Sequence, residues 1–189
     1  MAYRSSNPTV VWFLIAINLL LFMATLFEQD LIRLLGLQPA AFLDRPWALV
    51  TNLFIHASFW HILANMITLY FFGSYLLRLI GVKKFLIVYF GGGILGNILY
   101  LLLASSSLSI VVGASGAVFA LAGVLTMMRP KLRVFIFPIP VPLPLWVAII
   151  GGFVILSFIP HIAWQAHLGG LVLGLVAGYF FRRRERYYF

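Results

Sequence analysis

The chain has no cysteine among its 189 residues, which removes disulfides, a thiolate nucleophile and any cysteine metal site. Acids are nearly as scarce: Glu28, Asp30, Asp44 and Glu185 stand against thirteen Lys and Arg. Charged residues make up 9% of the chain, where soluble proteins run near a quarter, and 63% are hydrophobic. So few charges could not solvate a globule of this size in water. The composition fits a bilayer as solvent. The net charge of +9 does not point to nucleic acid, because the bases fall in short clusters between long uncharged runs, the pattern of loops flanking membrane helices. The shortage of acid also excludes chemistry. No acid lies in any apolar run, so the chain cannot build a pair of intramembrane aspartates. His61 is followed by isoleucine, so there is no His-Glu-x-x-His zinc segment either. The intramembrane charge and repeated halves of an ion-coupled transporter are missing as well.

What is present is apolar length. A helix needs about 20 apolar residues to cross the hydrocarbon. Thr9 to Phe27 is one such run, too long for a typical signal-peptide core and with no small-residue cleavage pattern after it, so it reads as a retained first helix. Residues 46–77, 85–128 and 134–181 are uncharged, and the last two runs must each fold back once. Ser105-Ser106-Ser107 breaks the former and Pro160-His161 the latter. The expected spans are 9–27, 57–77, 85–104, 113–128, 143–159 and 164–181. The expectation is an all-α, polytopic six-helix membrane bundle, one domain over 1–189, with no internal repeat, soluble domain or linker.

Lysines and arginines orient the bundle. Arg78, Lys83 and Lys84 follow the second helix, Arg129, Lys131 and Arg133 the fourth, and Arg182, Arg183, Arg184 and Arg186 the sixth; Arg4 precedes the first. The turns after the third and fifth helices carry no charge, and the first loop sums to minus one. Both termini are therefore expected in the cytoplasm. The first loop, Glu28 to His56, is rich in Leu, Phe, Trp and Ala and is expected to lie in the membrane interface. Pro138, Pro140, Pro142 and Pro144 should hold the fourth loop extended.

Polar groups inside a bilayer are costly, so each is a functional hypothesis. Ser115 lies 14 residues before Arg129, and His167 15 before Arg182, about 21 and 22 Å at 1.5 Å per residue. Asn65 and His61 lie 13 and 17 residues before Arg78 and bracket the same height. Three helices thus put polar side chains in one layer. Serine and histidine supply a nucleophile and its general base; with no carboxylate available, the only version is a dyad. His61 and Asn65, spaced i, i+4, share a face and can donate to an oxyanion, and the amide of Ser115 could add a donor near a helix start. Gly113, Ala114 and Gly116 flank the serine, while Gly170, Gly174 and Gly178 follow His167 at four-residue spacing, which permits close helix approach. Phe119, one turn below Ser115, could pack on the imidazole. Taken singly, Ser115 reads as helix packing and His61 or His167 as an interfacial histidine; the joint placement reads as a catalytic site. Gly91-Gly92-Gly93 and Gly96 read as packing, His161 as a solvated turn residue, and Asn97 as a residue able to hydrogen-bond across helices, with no functional role assigned.

Gly113-Ala114-Ser115-Gly116, His61-Ile-Leu-Ala-Asn65 and Ala166-His167-Leu-Gly169-Gly170, in that set and on those helices, resemble the rhomboid family of intramembrane serine proteases. The resemblance implies Ser115 as nucleophile, His167 as base, and His61 and Asn65, with Gly113, lining the oxyanion site; Gly116, Gly170 and Phe119 support it. His56 matches a family histidine near the cavity mouth. Two departures stand out. Many members carry Trp-Arg in the first loop, whereas this chain reads Arg45-Pro46-Trp47-Ala48, and Phe119 stands where tyrosine is frequent.

The implied activity is hydrolysis of peptide bonds in or near transmembrane segments of other proteins, with no metal, nucleotide or other cofactor. The partners are transmembrane substrates and the bilayer; the oligomeric state is open. The location is the cytoplasmic membrane, with the site opening to the extracytoplasmic side. The fifth helix, short and preceded by proline, is the candidate lateral gate, with Phe153 and Phe158 as its bulky groups. The alternative is a catalytically silent rhomboid-like protein that binds transmembrane clients.

Overall fold

The computed structural model describes residues 8–135, 139–160 and 162–186, with no side chains described beyond Arg182. Arg4, Pro138 and His161 lie outside it, as do the side chains of Arg183, Arg184 and Arg186. The described chain is mostly helical. Helices α1 (Thr9–Phe27), α2 (Asp30–Leu35), α3 (Ala48–Thr51) and α4 (Phe59–Thr68) are followed by a π turn over Leu69–Gly73. Then come α5 (Ser74–Leu103), α6 (Ser115–Met128), α7 (Leu145–Ser157) and α8 (Trp164–Arg186). A two-residue hairpin pairs β1 (Arg133–Val134) with β2 (Leu143–Pro144) between α6 and α7.

Helix occupies all six expected stretches, with boundaries shifted by local chemistry. The expected gap between 77 and 85 is a single kink inside α5, at Gly81 with φ +78, a left-handed conformation open to glycine. Helix α6 starts at 115 rather than 113, because Gly113 has φ +120 and cannot lie in a helix. Helix α7 starts after Pro144, which takes its place in the hairpin in an extended conformation.

Helix α6 forms the centre. Its small and apolar residues run all round the cylinder, and eleven of its fourteen are buried; a helix apolar on every face is one the bundle encloses. Helices α5 and α8 lie against it through glycines. A Cβ on Gly170 would stand 1.9 Å from the Gly116 carbonyl, and one on Gly174 2.1 Å from that of Ala120. On α5, a Cβ on Gly92 would meet the Ala120 Cβ at 2.1 Å, and one on Gly96 the Ala166 carbonyl at 2.4 Å. These backbones touch because no side chain separates them. At the periphery, Trp12, Phe13, Leu20 and Phe27 of α1, Trp146 and Ile155 of α7, and Phe158 just after it are exposed. Apolar surface on this scale is what a protein turns toward lipid.

The first loop is folded rather than loose. Arg45 donates to the Arg33 carbonyl and to Gln38 Oε1 (3.1 Å), Trp47 Nε1 to the Leu34 carbonyl (3.1 Å), and Thr51 Oγ1 to that of Leu35 (2.8 Å). The end of α2 is thereby capped by three side chains. An arginine two residues before the tryptophan thus anchors the loop in a chain without Trp-Arg. The loop is also fastened to the segment leading to Ser115, since Leu37 and Val111 exchange both backbone hydrogen bonds (3.0 and 2.8 Å).

Candidate active site

Ser115 opens α6, preceded by a turn that needs glycine. A side chain at Gly113 is excluded by its φ and by His61, whose Nε2 lies 2.7 Å from where a Cβ would stand. The first intrahelical bond runs from the Val118 N–H to the Ala114 carbonyl (2.9 Å). The N–H groups of Ser115, Gly116 and Ala117 precede it and have no intrahelical acceptor to use. The Gly113 N–H donates to the Asn52 carbonyl (2.9 Å), so Gly113 meets the cavity by shape, as the surface beside the His61 ring, and not through its N–H.

His61 and Asn65 occupy one face of α4. Ser58 caps that helix, its Oγ accepting from the His61 N–H (3.2 Å), which sets the start of the turn carrying the imidazole. Asn65 Nδ2 donates to the His61 carbonyl (2.9 Å), leaving a second amide proton for another acceptor. His56 precedes the helix and is buried, its ring edge-on to that of His61 at 5.0 Å. Burial, together with the neighbouring His61, pushes its pKa down to about 3.

The decisive contact joins α6 and α8. His167 Nε2 lies 2.8 Å from Ser115 Oγ. The imidazole stacks on Phe119 with centroids 4.6 Å apart and planes 27° from parallel. Its Nδ1 is buried with no hydrogen-bond partner among the described residues, so stacking rather than a carboxylate orients the ring. Phe119 in turn meets Phe153 of α7 edge-on at 6.2 Å. A cavity of about 1000 Å³ opens onto these groups, lined by His61, Asn65, Ser115, Phe119 and His167 with Trp60, Thr68, Ile149 and Leu156.

Sequence reasoning left two buried amides without a role. Asn97 of α5 and Asn52, in the helical turn after α3, form a reciprocal side-chain pair at 2.8 and 3.0 Å. The signal was available, as amides within apolar stretches, but their partnership spans 45 residues and no local spacing announces it.

Comparison with known proteins decides the family. The Rhomboid domain model matches residues 43–184. The chain belongs to the rhomboid family. It is 35% identical over 149 residues to "Putative rhomboid protease YdcA" of Bacillus subtilis (strain 168), covering 75% of this chain and 71% of that one. It is 30% identical over 151 residues to Rhomboid protein 1, mitochondrial, of Saccharomyces cerevisiae, covering 70% of this chain. With RHOMBOID-like protein 1 of Arabidopsis thaliana it shares 34% identity over 142 residues, 75% of this chain. The aligned regions span 41% and 36% of those two longer relatives. The protein is therefore a rhomboid membrane protein, and its helices α1, α4–α5 and α8 are long and apolar enough to cross a bilayer.

Proposed function

We propose that this rhomboid protein is an intramembrane serine endopeptidase that cleaves other membrane proteins in or near their transmembrane segments. The observation that supports this most strongly is the 2.8 Å approach of His167 Nε2 to Ser115 Oγ inside a cavity that also exposes His61 and Asn65. Burial of a serine–histidine pair between glycine-packed helices is a costly arrangement for mere packing.

In the reaction, His167 accepts the Ser115 hydroxyl proton through Nε2 as Oγ attacks the scissile carbonyl. The carbonyl oxygen becomes an oxyanion, stabilised by His61, the free amide proton of Asn65 and the backbone N–H of Ser115. Collapse of this intermediate breaks the C–N bond, and His167 returns the proton to the leaving amine. Water, deprotonated by the same histidine, then hydrolyses the acyl-serine. A carbonyl within an intact helix is hydrogen-bonded and shielded, so substrates should carry helix-breaking residues near the cut, and family likeness adds a preference for small side chains before it.

The topology that goes with this reading has six spans, both termini in the cytoplasm and the site opening to the extracytoplasmic side of the cytoplasmic membrane. The first loop, with Leu43 91% exposed and Leu34 and Trp47 exposed as well, lies in the outer interface. The test uses purified protein in liposomes with a reporter transmembrane substrate and a fluorophosphonate probe. Wild type cleaves and is labelled; Ser115→Ala loses both, and His167→Ala loses roughly 10⁴-fold or more in rate. A wild type that cuts none of several substrates and takes no probe would leave a client-binding rhomboid protein as the reading.

A further inference from the structure

The direct contact of α6 with α8 sets most of the mutual position of Ser115 and His167, and one short stretch of α5 adds to it, touching α8 directly and the turn before α6 through Asn52. Gly96 lies against α8 where the base is carried: a Cβ there would stand 2.4 Å from the Ala166 carbonyl, and one on Gly169 would stand 2.6 Å from the Gly96 Cα. The next residue, Asn97, reaches the opposite way. Its Nδ2 donates to Asn52 Oδ1 (2.8 Å) and to the Leu49 carbonyl (2.8 Å), and its Oδ1 accepts from Asn52 Nδ2 (3.0 Å). Both asparagines are buried, at 2% and 1% exposure. Asn52 then passes the constraint on, because its backbone carbonyl accepts the Gly113 N–H (2.9 Å). Gly113 is the positive-φ residue two before the serine, and its Cα forms the wall against His61.

We propose that Asn97, acting through Asn52, is a positioning residue for catalysis. The amide pair holds the turn before Ser115 at a fixed height relative to the α5–α8 contact beside His167, and so fixes both the dyad distance and the seat of His61. The proposal rests on the protease reading and adds to it two residues that touch neither substrate nor dyad. The physical basis is that amide pairs have no spare geometry. Two parallel hydrogen bonds between buried carboxamides define a plane and a distance, and losing one partner strands the other's polar atoms in an apolar setting. Catalysis is sensitive to such a shift, since a misplacement of about 1 Å can cost on the order of a hundredfold in rate.

The experiment is a double-mutant cycle on the whole chain in liposomes, with Asn97→Ala, Asn52→Ala and the double variant. Cleavage of a reporter transmembrane substrate gives kcat and KM; the rate of fluorophosphonate labelling reports Ser115 reactivity without substrate binding; a thermal melt reports folding. Each single change is expected to lower kcat and labelling rate roughly tenfold to a hundredfold with KM changed less than about twofold. The double variant is expected to be no worse than the poorer single, because the two act as one unit. Asn97→Asp keeps the side-chain volume and covers the case of an alanine variant that does not fold. A carboxyl there has at most one O–H for the two acceptors, Asn52 Oδ1 and the Leu49 carbonyl, and none when ionised, so at least one of the two donations is lost and kcat should fall likewise. Folded variants with wild-type kcat and labelling, or losses that multiply in the double variant, would overturn the proposal while leaving the protease reading intact. A wild type that neither cleaves nor labels defeats the protease reading, and this proposal with it.

Discussion

The two helices beside the cavity on the α6 side are built on opposite terms. Helix α8 meets α6 backbone to backbone, and Gly170 and Gly174 have less than van der Waals room for a methyl group. Helix α7 carries glycines too, yet Gly151 and Gly152 have nothing within 4 Å of where a Cβ would be, and only Leu145 and Ala148 of that helix are buried. The same residue type marks contact in one helix and open space in the other. The difference teaches how a bundle can fix two polar side chains against each other on one side while the other side stays sparsely packed. His167 sits on the locked helix. The loose one supplies Ile149 and Leu156 to the cavity wall and Phe153, which touches the aromatic ring behind His167.

The contrast is broken most severely at Gly170. With Gly170→Ala the new methyl would stand 1.9 Å from the Gly116 carbonyl, which is backbone and cannot rotate away. The helices must separate where Ser115 and His167 face one another. Cleavage and fluorophosphonate labelling should fall by about a hundredfold or more, with a lower melting temperature, since overpacking of this kind costs roughly 1–3 kcal/mol or more. Retention of wild-type labelling would show that the dyad tolerates a wider crossing than this packing implies.

A smaller effect is expected one layer out, at Phe119. Because His167 Nδ1 has no hydrogen-bond partner among the described residues, ring stacking carries the orientation. Such contacts are worth about 0.5–1.5 kcal/mol, so Phe119→Ala should lower kcat about three- to tenfold at little change in KM, while Phe119→Tyr, which keeps the ring, should stay near wild type. A rise in KM with kcat preserved would instead place Phe119 against the substrate.

What could be read from the amino acids follows the range of the interactions. Apolar length is a local property, and helix fills the stretches it marked. The glycines after His167 signalled a close helix approach, and that approach brings Ser115 and His167 together. The start of α6 was two residues off because Gly113 looks like any small helix residue until its φ of +120 is seen. The Arg45 anchor and the Asn52–Asn97 pair stayed hidden for another reason. Their partners lie 12 and 45 residues away, and hydrogen bonds between such positions leave no periodic trace.

The finest test of the comparison lies in α7, where substitutions that ruin α8 should do no harm. Gly151→Ala adds a methyl to open space and replaces a poor helix former, a gain of up to about 1 kcal/mol, so the melting temperature should hold or rise slightly with cleavage unchanged. Phe153→Ala goes further and removes the one ring by which α7 contacts Phe119. If movement of α7 limits the rate, reporter cleavage in liposomes should speed up about two- to fivefold, since access steps set many turnover rates. The labelling rate of Ser115 by the small probe should stay within about twofold, because the dyad itself is held by α6 and α8. Faster cleavage with steady labelling would assign α7 to access and α8 to chemistry. Equal slowing of both would mean that Phe153 supports the His167 ring through Phe119, and the division of labour between the two helices would fail at that contact.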